Sequence, residues 1–137
     1  MNYWLVKSEP FKYSWDQFVK DKQTFWDGVR NYQARNNLKA MEPGDQVLFY
    51  HSNEGLAVVG IAEVVRAAYP DPTIDDERWV AVDLKPIKPV PNPVTLAEMK
   101  QMPGLEQLSL IKQSRLSVCG LTEDEYNLIL KMGGIKA

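Results

Sequence analysis

The chain has 137 residues, 45% hydrophobic and 25% charged, a size and balance that suit one globular domain over residues 1 to 137 and exclude a disordered segment or a repeat array. Its lone cysteine, Cys119, and lone histidine, His51, allow no internal disulfide and no zinc cluster, so a reducing compartment and a fold without metal or cofactor are expected. A formal charge of −2, from 16 basic and 18 acidic residues, argues against indiscriminate coating of nucleic acid, and without an 18-residue apolar run or signal core a cytoplasmic protein with no membrane partner is expected.

Tyr3-Trp4-Leu5-Val6 is β-prone and Pro10 cannot extend a ladder, so a first strand is expected over 2 to 7. Ser14 with Gln17 reads as a capping box for a helix over 14 to 20. After a glycine turn, Asn31 can cap a second helix running to about Met41, and Glu42-Pro43-Gly44-Asp45 is a turn. Residues 46 to 50 and 56 to 68 read as a hairpin with Gly60 in its second strand. Pro70, Asp71, Pro72, Asp75 and Asp76 suggest an exposed acidic loop before the alternating strand of 79 to 86. Pro86, Pro89, Pro91 and Pro93 keep the next segment extended, along a surface or sheet edge. Thr95 with Glu98 and Thr122 with Glu125 are further capping boxes, and Arg115-Leu116-Ser117-Val118 alternates like a strand. Strands in the middle and helices at both ends give an α+β fold with a mainly antiparallel, barrel-like sheet.

Most catalytic constellations fail on counting. His51 and Ser52 are neighbours that point to opposite faces of a strand, so a strand-end histidine bonding locally or lining a cleft is the plainer reading. No cation closer than Arg115 accompanies Cys119, which reads as buried and inert. The acids of 75 to 77 and 123 to 125 suit a polar loop and a helix first turn. Three places are more informative: Lys7-Ser8-Glu9, the run from Trp26 to Asn31, and Ser114-Arg115-Leu116-Ser117. Should they converge, Trp26 would stack, Arg30 and Arg115 would contact phosphate or base edges, and small hydroxyls would donate hydrogen bonds, a nucleic-acid vocabulary. The plain alternatives are Trp4 and Trp15 as core, Trp26 as a cap on the core, Arg30 and Arg35 as solvated helix residues, and Lys7 with Glu9 as a surface ion pair.

Residues 3 to 10 (YWLVKSEP), 26 to 36 (WDGVRNYQARN), Pro43-Gly44-Asp45 with Phe49-Tyr50-His51-Ser52, and 113 to 118 (QSRLSV) closely resemble the EVE domain family, in the expected order from Asn2 to about Leu130. The resemblance implies a PUA-like fold, a small curved β-barrel flanked by helices, related to the YTH and ASCH domains. Without the basic N-terminal extension of nuclear eukaryotic members, a stand-alone, bacterial-type protein is expected. The resemblance further implies a non-catalytic reader of a modified cytosine or adenine in DNA or RNA, flipped into a pocket. By motif position, Lys7, Ser8, Glu9, Trp26, Gly28, Arg30, Asn31, Arg35, His51, Ser52, Ser114, Arg115 and Ser117 would line or support that pocket. Arg30, Arg35 and Arg115 would engage phosphates, Trp26 would stack on or wall the base, and Ser8, Asn31 or Ser117 would read its edge. A competing expectation is an ASCH-like hydrolase of a modified nucleoside with Lys7 and Glu9 as acid/base pair. A third, a protein-interaction module, would show an apolar patch and no concave polar pocket. A monomer is the default, since no extended heptad is present.

Overall fold

The computed structural model describes residues 1–135. Its elements are β1 (Tyr3–Ser8), α1 (Trp15–Asp21), β2 (Thr24–Trp26), α2 (Tyr32–Ala40), β3 (Gln46–His51), β4 (Ala57–Pro70), β5 (Val80–Thr95), α3 (Leu96–Gln101), α4 (Ser109–Lys112), β6 (Val118–Leu121) and α5 (Glu123–Met132). Strands pair in the order β2-β5-β4-β3-β1-β6. Only β1 and β3 are parallel; the other four pairings are antiparallel. The sheet is mainly antiparallel, as expected, but open, with β2 and β6 as its edges, so the expected barrel does not close. Helix α2 packs against β6 at one end and against β4 and β5 towards the other, so a helix lies across the opening.

Local chemistry starts the helices where the residues dictate. The Asn31 side chain accepts from the Ala34 amide at 2.9 Å, and Thr95 and Thr122 both form reciprocal capping boxes. Ser14 forms half of one: its hydroxyl accepts from the Gln17 amide, while the Gln17 side chain reaches forward to Asp21.

The proline-rich stretch is the second half of β5, paired on one side to β4 through shifts of register. Its other side carries β2 only at 82 to 84, so the prolines occupy an edge, where a missing N–H leaves no ladder partner stranded. Of residues 115 to 118, expected to form a strand, only Val118 does so, as the first residue of β6; 115 to 117 lie in a turn. Buried Leu116, whose amide donates to the Gln113 carbonyl at 3.0 Å, holds that turn, while Arg115 is exposed.

Aromatic residues knit the core. Phe18 stacks on Phe49 at 5.4 Å, and Trp15 meets both rings edge-on. Gly60 opens the register of β4 against β5, and a Cβ there would lie 2.4 Å from the Trp15 ring, so only glycine admits the indole. Trp4 is core, and its indole N–H donates to buried Asp45 at 3.0 Å.

Candidate functional site

Three strand ends lie side by side. Ser8 of β1 is opposite His51 of β3, and Val6 is opposite Val118 of β6. The Lys7 amide donates to the Ser117 carbonyl at 3.0 Å and the Ser52 amide to the Ser8 carbonyl at 2.9 Å. Backbone pairing thereby gathers Lys7-Ser8-Glu9, His51-Ser52 and Ser114 to Ser117 at one end of the sheet. Lys7 adds a tie of its own, its ammonium donating to the Ser114 carbonyl at 2.7 Å. Burial lowers the Lys7 pKa from its ordinary range, against the opposing pull of Cys119.

The segment from Trp26 to Asn31 reaches this end from another direction. Gly28 takes a positive φ of 74° where β2 turns away, and its amide donates to Asp71 at 3.0 Å. Arg30 Nη1 meets the same carboxylate oxygen at 3.0 Å, while the Thr73 amide reaches the other oxygen at 2.8 Å. Asp71 is therefore a buried anchor, 2% exposed, and not part of an exposed acidic loop; Asp75 and Glu77 are the exposed members. Burial pushes its carboxyl up, but the Thr73 hydroxyl and amide, the Gly28 amide and the Arg30 guanidinium together pull it down to about 2.

Between these segments lies a hollow of about 670 Å³, within the range of small-ligand pockets. Lys7, Ser8, Glu9, Gly28, Arg30, Asn31 and Ser117 line it together with Trp26. Trp26 is 9% exposed and meets Phe49 and Tyr13 edge-on at 5.6 and 6.3 Å, so it caps the core and offers the hollow a wall. A second hollow of about 400 Å³ shares Lys7, Glu9 and Ser117 and adds Ser52, Ser114 and Arg115. The two adjoin at those three shared residues.

Two expected residues lie outside both hollows. His51 Nε2 accepts from the Trp15 amide at 3.1 Å, which fixes the ring against the start of α1, and burial lowers its pKa, favouring the neutral form that can accept. Arg35 covers the Tyr32 ring at 4.9 Å and donates to the Arg78 carbonyl. Nor do Lys7 and Glu9 form the surface ion pair considered above, since Glu9 pairs with Lys12 at 3.3 Å. Residues not singled out in the sequence also line the cleft: Lys12, Tyr13, Phe25 and Asp27 in the larger hollow, Tyr50 and Leu56 in the smaller. Only the proximity of Lys12 and Tyr13 to the Lys7-Ser8-Glu9 run offered a local signal; Asp27 sat inside the Trp26 run without a distinguishing pattern.

A family model for the EVE domain matches residues 2–132. The chain belongs to the EVE domain family. Thymocyte nuclear protein 1 of Mus musculus is 37% identical over 165 residues, covering 96% of this chain and 73% of that protein. A crystal structure of a protein from Agrobacterium tumefaciens matches with a TM-score of 0.96 and 50% identity over 98% of this chain and 94% of that one. Human THYN1 protein, crystallised in complex with DNA containing 5-methylcytosine, matches with a TM-score of 0.92 and 31% identity over 100% of both chains. A YTH domain from Zygosaccharomyces rouxii shares the fold at 16% identity, with a TM-score of 0.62 over 96% of this chain and 86% of that one.

Around the cleft of this EVE domain, the larger hollow presents the cations of Lys7, Lys12 and Arg30 beside the carboxylates of Glu9 and Asp27. Exposed Arg115 makes no hydrogen bond or ion pair among the described residues. Such a cleft can hold a planar polar ring against Trp26, with acceptors and donors at its edge and a free guanidinium in the adjoining hollow.

Proposed function

We propose that this EVE domain reads a modified base in nucleic acid, holding the flipped nucleotide in the larger hollow without transforming it. The observation that carries the reading is the meeting of three segments distant in sequence around two adjoining hollows, the larger with an aromatic wall and polar edges, the smaller with Arg115, which has no partner among the described residues. The match to human THYN1 protein, crystallised with DNA containing 5-methylcytosine, supports the same reading. Trp26 forms the wall against the base, while Ser8, Asn31, Ser117 and the carboxylate of Asp27 are the candidates for its edge. Carboxylates accept from the exocyclic amine of cytosine, so this edge suits a cytosine better than a thymine. Arg115 takes a backbone phosphate next to the flipped nucleotide, and Arg30, braced by Asp71, shapes the rim. Extrusion of a base costs a few kcal/mol, which contacts of this kind must offset.

Catalysis finds less support in the geometry. Lys7 and Glu9, the acid/base pair of the hydrolase reading, are each engaged elsewhere, with the Ser114 carbonyl and with Lys12. Cys119 is fully buried, and burial raises its thiol to about 11.

The test is a binding panel at fixed salt, with DNA and RNA oligonucleotides carrying plain, methylated or hydroxymethylated cytosine or methylated adenine. Preference for one modification is expected. Arg115→Ala should weaken binding to all of them alike and reduce the salt dependence by about one phosphate contact. Equal binding to modified and plain oligonucleotides, or turnover of acylated or methylated nucleosides, would overturn the reading.

A further inference from the structure

The protein has four phenylalanines. Phe18 and Phe49 are fully buried, whereas Phe11 is 72% and Phe25 46% exposed. Phe25 lines the larger hollow, and Phe11, which does not line it, lies in the turn between Glu9 and Lys12, which do. That turn is braced. The amides of Lys12 and Tyr13 donate to the Glu9 carbonyl at 3.0 and 2.9 Å. The Ser8 hydroxyl donates to the Tyr13 carbonyl, and the Tyr13 hydroxyl to Asp21 at 2.9 Å. Lys12 pairs with Glu9 across the turn. A phenyl group is thus held in water on a stiff support, where it adds little to the core and loses little entropy on meeting a partner.

We propose that Phe11 is a stacking wedge for duplex nucleic acid, occupying the gap that opens when the base held in the hollow leaves its stack. This rests on the base-reading proposal and adds the partner's form, a double helix rather than a free nucleotide. Extrusion leaves two base pairs with unstacked faces, and apolar side chains such as phenylalanine fill gaps of this kind in other nucleic-acid complexes. Position and charge agree. The wedge adjoins the hollow through its chain neighbours, and the flanking Lys12, with a side chain 77% exposed, suits the adjacent phosphates.

The experiment compares the parent with Phe11→Ala and Phe11→Trp on two probes: a 12-base-pair DNA duplex with one central 5-methylcytosine, and 5-methyl-2′-deoxycytidine monophosphate. Thermal melting verifies that both variants are folded. Loss of one aromatic–base stack should weaken duplex binding by Phe11→Ala about five- to tenfold, leave the mononucleotide unchanged, and be reversed in Phe11→Trp. A 2-aminopurine beside the modified base should brighten on binding to Phe11→Ala more than on binding to the parent, because the gap stays open. If Phe11→Ala binds the duplex as well as the parent does, or weakens both probes equally, the wedge is refuted and base reading stands. A parent that binds the mononucleotide but not the duplex refutes the wedge alone, and one that binds neither these probes nor any other modified base of the panel overturns both.

Discussion

Replacing Asp71 by asparagine should destabilise the fold by about 2 kcal/mol at pH 7, although the substitution changes almost no volume. One carboxylate oxygen receives the Gly28 amide and Arg30 Nη1, and the other receives the amide and hydroxyl of Thr73. Asparagine has one acceptor oxygen. If that oxygen faces Gly28 and Arg30, the new NH2 confronts the Thr73 amide; because Thr73 is exposed, the orphaned, part-buried donor costs near the lower end of roughly 1 to 3 kcal/mol. The ion pair with Arg30 is lost in either orientation; because the Arg30 side chain is 37% exposed and can return to water, and one orientation keeps a guanidinium–amide hydrogen bond, that loss belongs near about 1 kcal/mol. Protonation gives an independent check. Folding depresses the Asp71 carboxyl from 3.8 to about 2, so its contribution is complete above pH 4 and disappears as the pH falls through 2, a change of roughly 2 kcal/mol. Urea unfolding at pH 7 and at stepped acid pH measures both effects, and the variant should lack this component of the acid loss. A destabilisation under 1 kcal/mol at pH 7, or an unchanged acid profile, would refute the assignment of Asp71 as the anchor of the Trp26 to Asn31 wall.

Removing the cap of α2 with Asn31→Ala should lower stability by about 1 kcal/mol in the same unfolding assay, since the Ala34 amide loses its acceptor. Gly60→Ala would set a methyl 2.4 Å from the Trp15 ring; overpacking of about 1 to 3 kcal/mol should appear as a lower melting temperature and altered tryptophan fluorescence. Cys119 should react with a thiol reagent at pH 8 only as fast as the protein unfolds, because the group is buried and its pKa is raised to about 11; rapid labelling of folded protein would contradict this burial. Arg115→Ala, at an exposed position on a turn, should change stability by less than about 0.5 kcal/mol, so any loss of nucleic-acid binding in that variant reports on contact and not on folding.

Features decided within a few residues were legible in the sequence. Asn31, Thr95 and Thr122 cap helices because a side-chain oxygen satisfies an amide two or three positions on, and each does so here. The prolines of β5 demanded a chain without ladder donors, and they lie along an edge. The Arg115 segment misled because alternation of polar and apolar residues also describes a turn that buries Leu116 and then enters β6 at buried Val118. The residue types for a nucleic-acid site could be named from three runs, but their meeting could not.

Tertiary structure decided that meeting. Strand order placed β1 between β3 and β6 and so brought together residues as distant as Lys7 and Ser117. It also turned Asp71 from one acid among several into the buried partner of Gly28 and Arg30, and Trp26 from a stacking candidate into a wall backed by Phe49. The sequence by itself determined the caps, the turns and most of the strands, because neighbouring atoms set those energies. Which strand lies beside which, and which charge leaves water to face which partner, depend on packing and desolvation summed over the whole chain, and only the folded structure carries that sum.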